Sequence, residues 1–357
     1  MGGRRFNIGQ MFLVGFDGLE ADRGHPIAEA ISRDRLGGVI LFDRNVDGTR
    51  QNIASPEQLA RLTATLQGYA EIPLLVATDQ EGGGVCRLKE EDGFPPTVSA
   101  RQLGDADESG ETYRRAGAIA SSLAQCGLNL NLAPVVDLDL NPENPIIGRY
   151  GRSFGREVER VVTQAAAFIR AHHDRGVACC LKHFPGHGSA AADSHLGFVD
   201  VTGQWGEVEL APFAGLFAAG LADAVMTAHL VNRRLDSRVY PATLSGPVIN
   251  GLLRGRLGFD GVVVSDDLQM KAISSRWGFE EAVRLAVLAG VDLLLVGNNL
   301  IRETDAVTRG IKAVERLLDE KRIDVERVAA SLRRIAVLKE KIAGGIAWTD
   351  SRPTTWR

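Results

Sequence analysis

The chain has 357 residues, 45% hydrophobic and 24% charged, with a formal net charge of −4. That size suits a globular protein of one large or two ordinary domains, and the charge balance supplies no broad cationic field for nucleic acid or an anionic membrane. No apolar run reaches the roughly 18 residues a membrane span needs.

The first apolar run, "MFLVGF" (11–16), is short and is followed by Asp17 and Glu20, so it reads as mature structure rather than a secretory signal. It could equally begin a helix. Seven further runs follow: "GGVILF" (37–42), "PLLVATD" (73–79), "LNLNLAPVVD" (128–137), "VACCLKH" (177–183), "DAVMTAH" (223–229), "GVVVSDD" (261–267) and "VDLLLVG" (291–297). Most are continuous rather than alternating, the pattern of strands buried on both faces of a parallel sheet. Helical periodicity fills the gaps at 56–69, 111–125, 157–174, 207–219 and 279–289. Eight strand–helix units in one chain predict a single α/β domain, a (β/α)8 barrel, over residues 1–345. "DVERVAASLRRIAVLKEKIAGG" predicts a closing helix stopped at Gly344-Gly345, and 346–357 reads as a tail. Cys86, Cys126, Cys179 and Cys180 contain no C-x-x-C pair, so reduced buried thiols in a cytoplasmic protein are expected.

Polar residues collect where the runs end: Asp79, Asp137, Lys182-His183, His229, Asp266-Asp267 and Asn298-Asn299. In a barrel those ends converge on one mouth, where catalysis takes place. The stretch "KHFPGHG" (182–188) is too rich in ionisable side chains for an ordinary turn. A metal site is disfavoured by Lys182 among His183, His187, His195 and His229, and no H-E-x-x-H spacing is present. A Schiff-base lysine has no flanking feature that would lower its pKa. A third reading starts from Asp266, whose carboxylate at a strand end could attack an anomeric carbon. Asp193-Ser194-His195 could then supply proton transfer, with Asp193 orienting the His195 imidazole. Asp267 could simply cap the next helix, and "DSH" could be an ordinary polar loop.

The combination "KHFPGHG…DSH", with "SDDLQM" some seventy residues on, resembles the family 3 glycoside hydrolases, specifically their bacterial β-N-acetylglucosaminidase branch. "ATDQEGG" (77–83), "NLNLAPVVDLDLNPENPIIG" (129–148), "GRSFG" (151–155), "VMTAHL" (225–230) and "YPATLS" (240–245) extend the resemblance over nearly the whole chain. It implies Asp266 as nucleophile and His195, paired with Asp193, as acid/base. It implies Asp79, Arg87, Arg152, Lys182 and His183 as grips on N-acetylglucosamine, with His229 and Met270 lining the pocket. It further implies a cytoplasmic role in recycling cell-wall fragments, a carbohydrate substrate and no metal or organic cofactor. A nucleic-acid or membrane partner is not expected, and a monomer is favoured. A β-glucosidase, a broad hexosaminidase, a phosphorylase and a non-catalytic sugar-binding barrel are the alternatives. Where the branch often has "DQEGGRV", this chain has Gly84, which leaves Arg87 alone in that role. The small residues from Pro185 through "SAAA" are expected to let the loop bearing Asp193 and His195 move.

Overall fold

All eight apolar runs become short strands whose residues are buried. In the computed structural model, which describes residues 6–193 and 197–344, they are β1 (Phe12–Val14), β2 (Gly38–Ile40), β3 (Leu75–Thr78), β4 (Leu130–Asn131), β5 (Ala178–Phe184), β6 (Ala224–Thr227), β7 (Val262–Ser265) and β8 (Leu294–Val296). Spatial order follows chain order from β1 to β7, and β8 returns beside β1 with Phe12 opposite Leu294. Every neighbouring pair is parallel. Between β7 and β8 the Val264↔Leu293 bridge and a Leu295 N–H to Ser265 Oγ bond of 2.9 Å bring the sheet nearly to closure. The result is a TIM-like (β/α)8 barrel, and its strands are apolar on both sides because one face meets the barrel interior and the other the helices.

The connecting helices are α1 (Pro26–Asp34), α2 (Pro56–Gly68), α3 (Ala100–Ala106), α4 (Ser109–Gln125), α5 (Val158–His173), α6 (Ala211–Ala218), α7 (Lys271–Ser274) and α8 (Phe279–Ala289), with α9 (Ala306–Asp319) and α10 (Val325–Ile342) after the last strand. A π-helical stretch, Pro247–Arg256, links β6 to β7. Their starts are chemically marked. Ser55 caps α2 by accepting from Gln58 N–H ahead of Pro56, and Ser99 and Gln102 form a reciprocal capping box on α3. The ambiguous first run proves to be both things: a 3-10 turn, Ile8–Met11, runs directly into β1.

The closing helix α10 starts at Asp324, whose side chain accepts from Arg327 N–H, and Gly344 at φ +74° follows its end. It is stapled to the bottom of the barrel through buried Asp292. That carboxylate takes Arg254 at 2.6 Å and lies 3.5 Å from Arg334, and Ser331 of α10 donates to it. Nearby, Lys339 of α10 reaches Gln10 Oε1 at 2.7 Å, and burial pushes its ammonium down to about 7. No helix among the described residues is long and apolar enough to cross a membrane.

Candidate active site

β3 ends at Thr78, so Asp79 stands just beyond the barrel wall, followed by a hairpin of Gln80–Gly82 and Val85–Cys86. Gly82 and Gly83 adopt φ of +96° and +64°, a region open to glycine at little cost. The turn leaves Glu81 facing the end of β5. There Lys182 Nζ lies 2.8 Å from Asp79 Oδ1 and 2.7 Å from Glu81 Oε1. Arg152 forks onto both Glu81 oxygens, Nε to Oε2 at 2.8 Å and Nη2 to Oε1 at 2.7 Å. Burial alone would raise Glu81, but the Arg152 guanidinium and the Lys182 ammonium hold it well below the ordinary carboxylate range. Lys182 moves the other way: burial would lower it, yet Asp79 and Glu81 keep it above its ordinary value. A lysine held charged is a hydrogen-bond donor, not a Schiff-base nucleophile.

His183 is buried beside this cluster. Its Nδ1 lies 2.7 Å from Asp137 Oδ2, and since a carboxylate only accepts, Nδ1 donates. The ring's other nitrogen is 3.4 Å from Arg152 Nη2. Asp137 also accepts from the backbone N–H of His183 and, at 2.8 Å, from that of His187. Burial would raise Asp137; the His183 imidazole and the His187 backbone N–H outweigh it and lower the carboxyl. On the outer side, Arg87 comes within 3.7 Å of Asp79 Oδ2 and 3.6 Å of Asp43 Oδ1, with its guanidinium over the Phe42 ring.

Asp266 follows the last residue of β7 and is half-buried, its Oδ1 accepting from Asp267 N–H at 2.8 Å. Burial pushes the Cys180 thiol up; the parallel strands put Asp266, after β7, at the same end of the barrel as Asp79, after β3, and Lys182, near the end of β5. The two adjacent aspartates divide the work. Asp267 Oδ1 accepts from Gln269 N–H at 3.0 Å and Gly297 N–H at 3.1 Å, tying β7 to β8. A side chain at Gly297 would begin only 2.4 Å from Asp267 Oδ2. His229 braces the same turn, its ring nitrogens at 2.8 Å from Thr243 Oγ1 and 2.9 Å from Asp267 O. Expected as pocket lining, His229 thus has both nitrogens engaged by the protein, and Met270 is 1% exposed at the head of α7.

The stem of the histidine loop, whose small residues were expected to let it move, is packed and hydrogen-bonded. Residues 185–190 are all buried. Asn144 donates to His187 O at 2.7 Å, and Trp205 donates to Pro185 O at 3.0 Å. Glu209 Oε2 accepts from Gly188 N–H at 3.0 Å and Ser189 N–H at 3.3 Å, while Oε1 takes the Ser189 hydroxyl at 2.5 Å. Burial nevertheless pushes the Glu209 carboxyl up to about 7. Small residues here serve close packing rather than freedom, since a side chain at Gly188 would start 1.7 Å from Leu138 O. His187 is buried edge-on to His183, and burial lowers it to about 4, so it stays neutral. Asp193 is half-buried at the end of this described stretch; His195 lies outside the described residues.

Sequence reasoning passed over Glu81 and Glu209. Glu81 stood inside "ATDQEGG", where two glycines after an acid signalled a reversing turn. Glu209 offered no local sign, because its partners lie 20 and 21 residues earlier.

Comparison with known proteins finds relatives in both sequence and fold. A "Beta-hexosaminidase A" of Pseudoalteromonas piscicida is 34% identical over 334 residues, 88% of this chain and 55% of that one. A glycoside hydrolase family 3 β-N-acetylglucosaminidase structure from Paenibacillus sp. str. FPU-7 superposes with a TM-score of 0.86 at 38% identity, covering 98% of this chain and 64% of the other. A β-N-acetylhexosaminidase structure from Beutenbergia cavernae gives a TM-score of 0.83 at 32% identity, covering 93% and 97%. The chain therefore spans little more than half the length of the first of these relatives and nearly all of the third. Residues 5–338 match the model of the glycosyl hydrolase family 3 N-terminal domain, and the chain belongs to that family.

Proposed function

We propose that the chain is a retaining exo-β-N-acetylglucosaminidase that removes terminal β-linked N-acetylglucosamine from a saccharide. The observation that supports this reading is a strand-end carboxylate, Asp266, at the same end of the barrel as the polar cluster of Asp79, Glu81, Lys182 and Arg152. Glu81 fixes Lys182 and Arg152 in place, so their remaining N–H groups point donors at sugar hydroxyls while Asp79 offers an acceptor. His183, oriented by Asp137, adds a donor or acceptor beside them. Asp266 then attacks the anomeric carbon and forms a glycosyl-enzyme ester as the aglycone oxygen departs. The His195 imidazole, steered by Asp193, gives that oxygen its proton, and in the second half it takes a proton from the water that releases the sugar. His229 and Asp267 act indirectly by fixing the turn that bears Asp266. The reading invokes no metal or organic cofactor. The substrate source we propose is fragments of bacterial cell wall, met in the cytoplasm.

Kinetics of two variants test it. Asp266→Asn should fold normally and lose at least about 10³-fold in kcat, since a nucleophile's loss removes the covalent route. In kcat/KM, which reports glycosylation, His195→Ala should lose about 10²–10⁴-fold on a poor leaving group and far less on a dinitrophenyl glycoside, which needs no proton, while deglycosylation slows on both. Ordinary turnover by Asp266→Asn would refute the nucleophile assignment. Equal rates with and without phosphate would separate hydrolysis from phosphorolysis.

A further inference from the structure

We propose that Glu209 is a positioning residue for the segment that carries Asp193, acting through the Gly188–Ser189 backbone. The inference rests on the reading of Asp193 as part of the acid/base pair. Glu209 sits at the end of a 3-10 turn, Glu207–Leu210, directly before α6, and is 1% exposed. Its two carboxylate oxygens accept three donors, all from one dipeptide: Gly188 N–H, Ser189 N–H and the Ser189 hydroxyl. A buried carboxylate is retained at a cost unless its acceptors are filled. Here every donor named belongs to the run that leads, four residues later, to Asp193.

The other face of the stem is equally constrained. Gly188 is pressed on Leu138 O, and Gly186, at φ +117°, faces Glu209 so closely that a side chain there would begin 2.5 Å from Glu209 Cβ. His187 N–H is held by Asp137, the same carboxylate that orients His183. Trp205, four residues before Glu209, holds Pro185 O. The stem therefore has two carboxylate anchors. Asp137 couples it to the sugar grips, and Glu209 sets the direction in which the chain leaves toward Asp193. Removing the second anchor leaves the grips and Asp266 untouched while loosening the approach of the proton-transfer group.

Leaving-group dependence isolates that role. Glu209→Gln keeps the shape but puts an amide N–H₂ against donors, and Ser189→Ala removes one donor with little risk to folding. Rates are measured for each variant on a poorly leaving phenyl or disaccharide substrate and on a dinitrophenyl glycoside, with Asp193→Asn as reference. Glu209→Gln should lower kcat about 10–10²-fold on the poor leaving group and less than about 3-fold for glycosylation by the dinitrophenyl substrate, with KM unchanged. Ser189→Ala should shift in the same direction by a smaller factor, and the Glu209→Gln/Asp193→Asn double variant should be no slower than Asp193→Asn. Equal losses on both substrates, no loss on either, or additive losses would overturn the proposal. If Glu209→Gln does not fold, Ser189→Ala decides by the same criterion. If Asp193→Asn itself shows no leaving-group dependence, the acid/base reading fails instead.

Discussion

Glu81 holds two cations at once, and the energetics of the site turn on that arrangement. Its carboxylate is 4% exposed, Lys182 3% and Arg152 9%. Removing one partner from a buried ion network leaves uncompensated charge, typically at about 3–5 kcal/mol. Glu81→Gln should therefore destabilise the fold by that order in chemical denaturation and also raise KM, because Lys182 and Arg152 lose their aim. The sign with pH follows from its lowered carboxyl. Stability from a carboxylate depressed below its ordinary 4.5 is present above that value and is lost as pH falls through the folded value. The gap between wild type and variant should narrow on acidification below about 4.5. The strand-end positions of Asp79, Lys182 and His183 were legible because each stands at the end of an apolar run. Asp137 was legible for the same reason, but Glu81 was not: an ion pair across 71 residues, such as Arg152 with Glu81, leaves no local pattern.

At the scale of elements, hydrophobic runs and caps carried most of the information. Each run became a strand because a short, largely continuous apolar stretch, in places Ala, Cys and Met as well as Val, Leu and Ile, can be buried on both faces of a parallel sheet. α2 and α8 emerged where periodicity and a cap or glycine stop coincided. α1 and the π-helical stretch were passed over, the latter because two glycines, Gly251 and Gly255, interrupt "PVINGLLRGR". The closing helix was visible by its amphipathic pattern, yet the pattern hid a charge on its buried side. Lys339, pushed down to about 7 by burial, binds fewer protons in the folded state than in the unfolded state between that value and its ordinary 10.5. Stability should thus rise as pH climbs from about 7 to 10, reversing the usual expectation for a lysine gaining a partner. Lys339→Met should raise Tm at pH 7, and the gain should shrink toward pH 10. A gain independent of pH would place the effect in packing alone.

The whole molecule explains why residues so far apart in the chain share a reaction centre. Parallel strands in cyclic order bring the ends of β3, β5 and β7 to one mouth, so Asp79, Lys182 and Asp266 stand at the same end of the barrel although 187 positions separate the first from the last. The opposite end is held by Asp292, its three arginines and α10, which leaves the mouth to be shaped by loops. With Asp266 as the proposed nucleophile, just after β7, slowing breakdown of the glycosyl-enzyme should leave the sugar attached to Asp266. The decisive measurement is trapping with a 5-fluoro-N-acetylglucosaminyl fluoride, whose ring fluorine disfavours breakdown of the glycosyl-enzyme. Intact-mass spectrometry should show one added glycosyl unit, and peptide mapping should place it on Asp266. An adduct on another residue, or rapid turnover of good substrates with no adduct formed, would contradict the account.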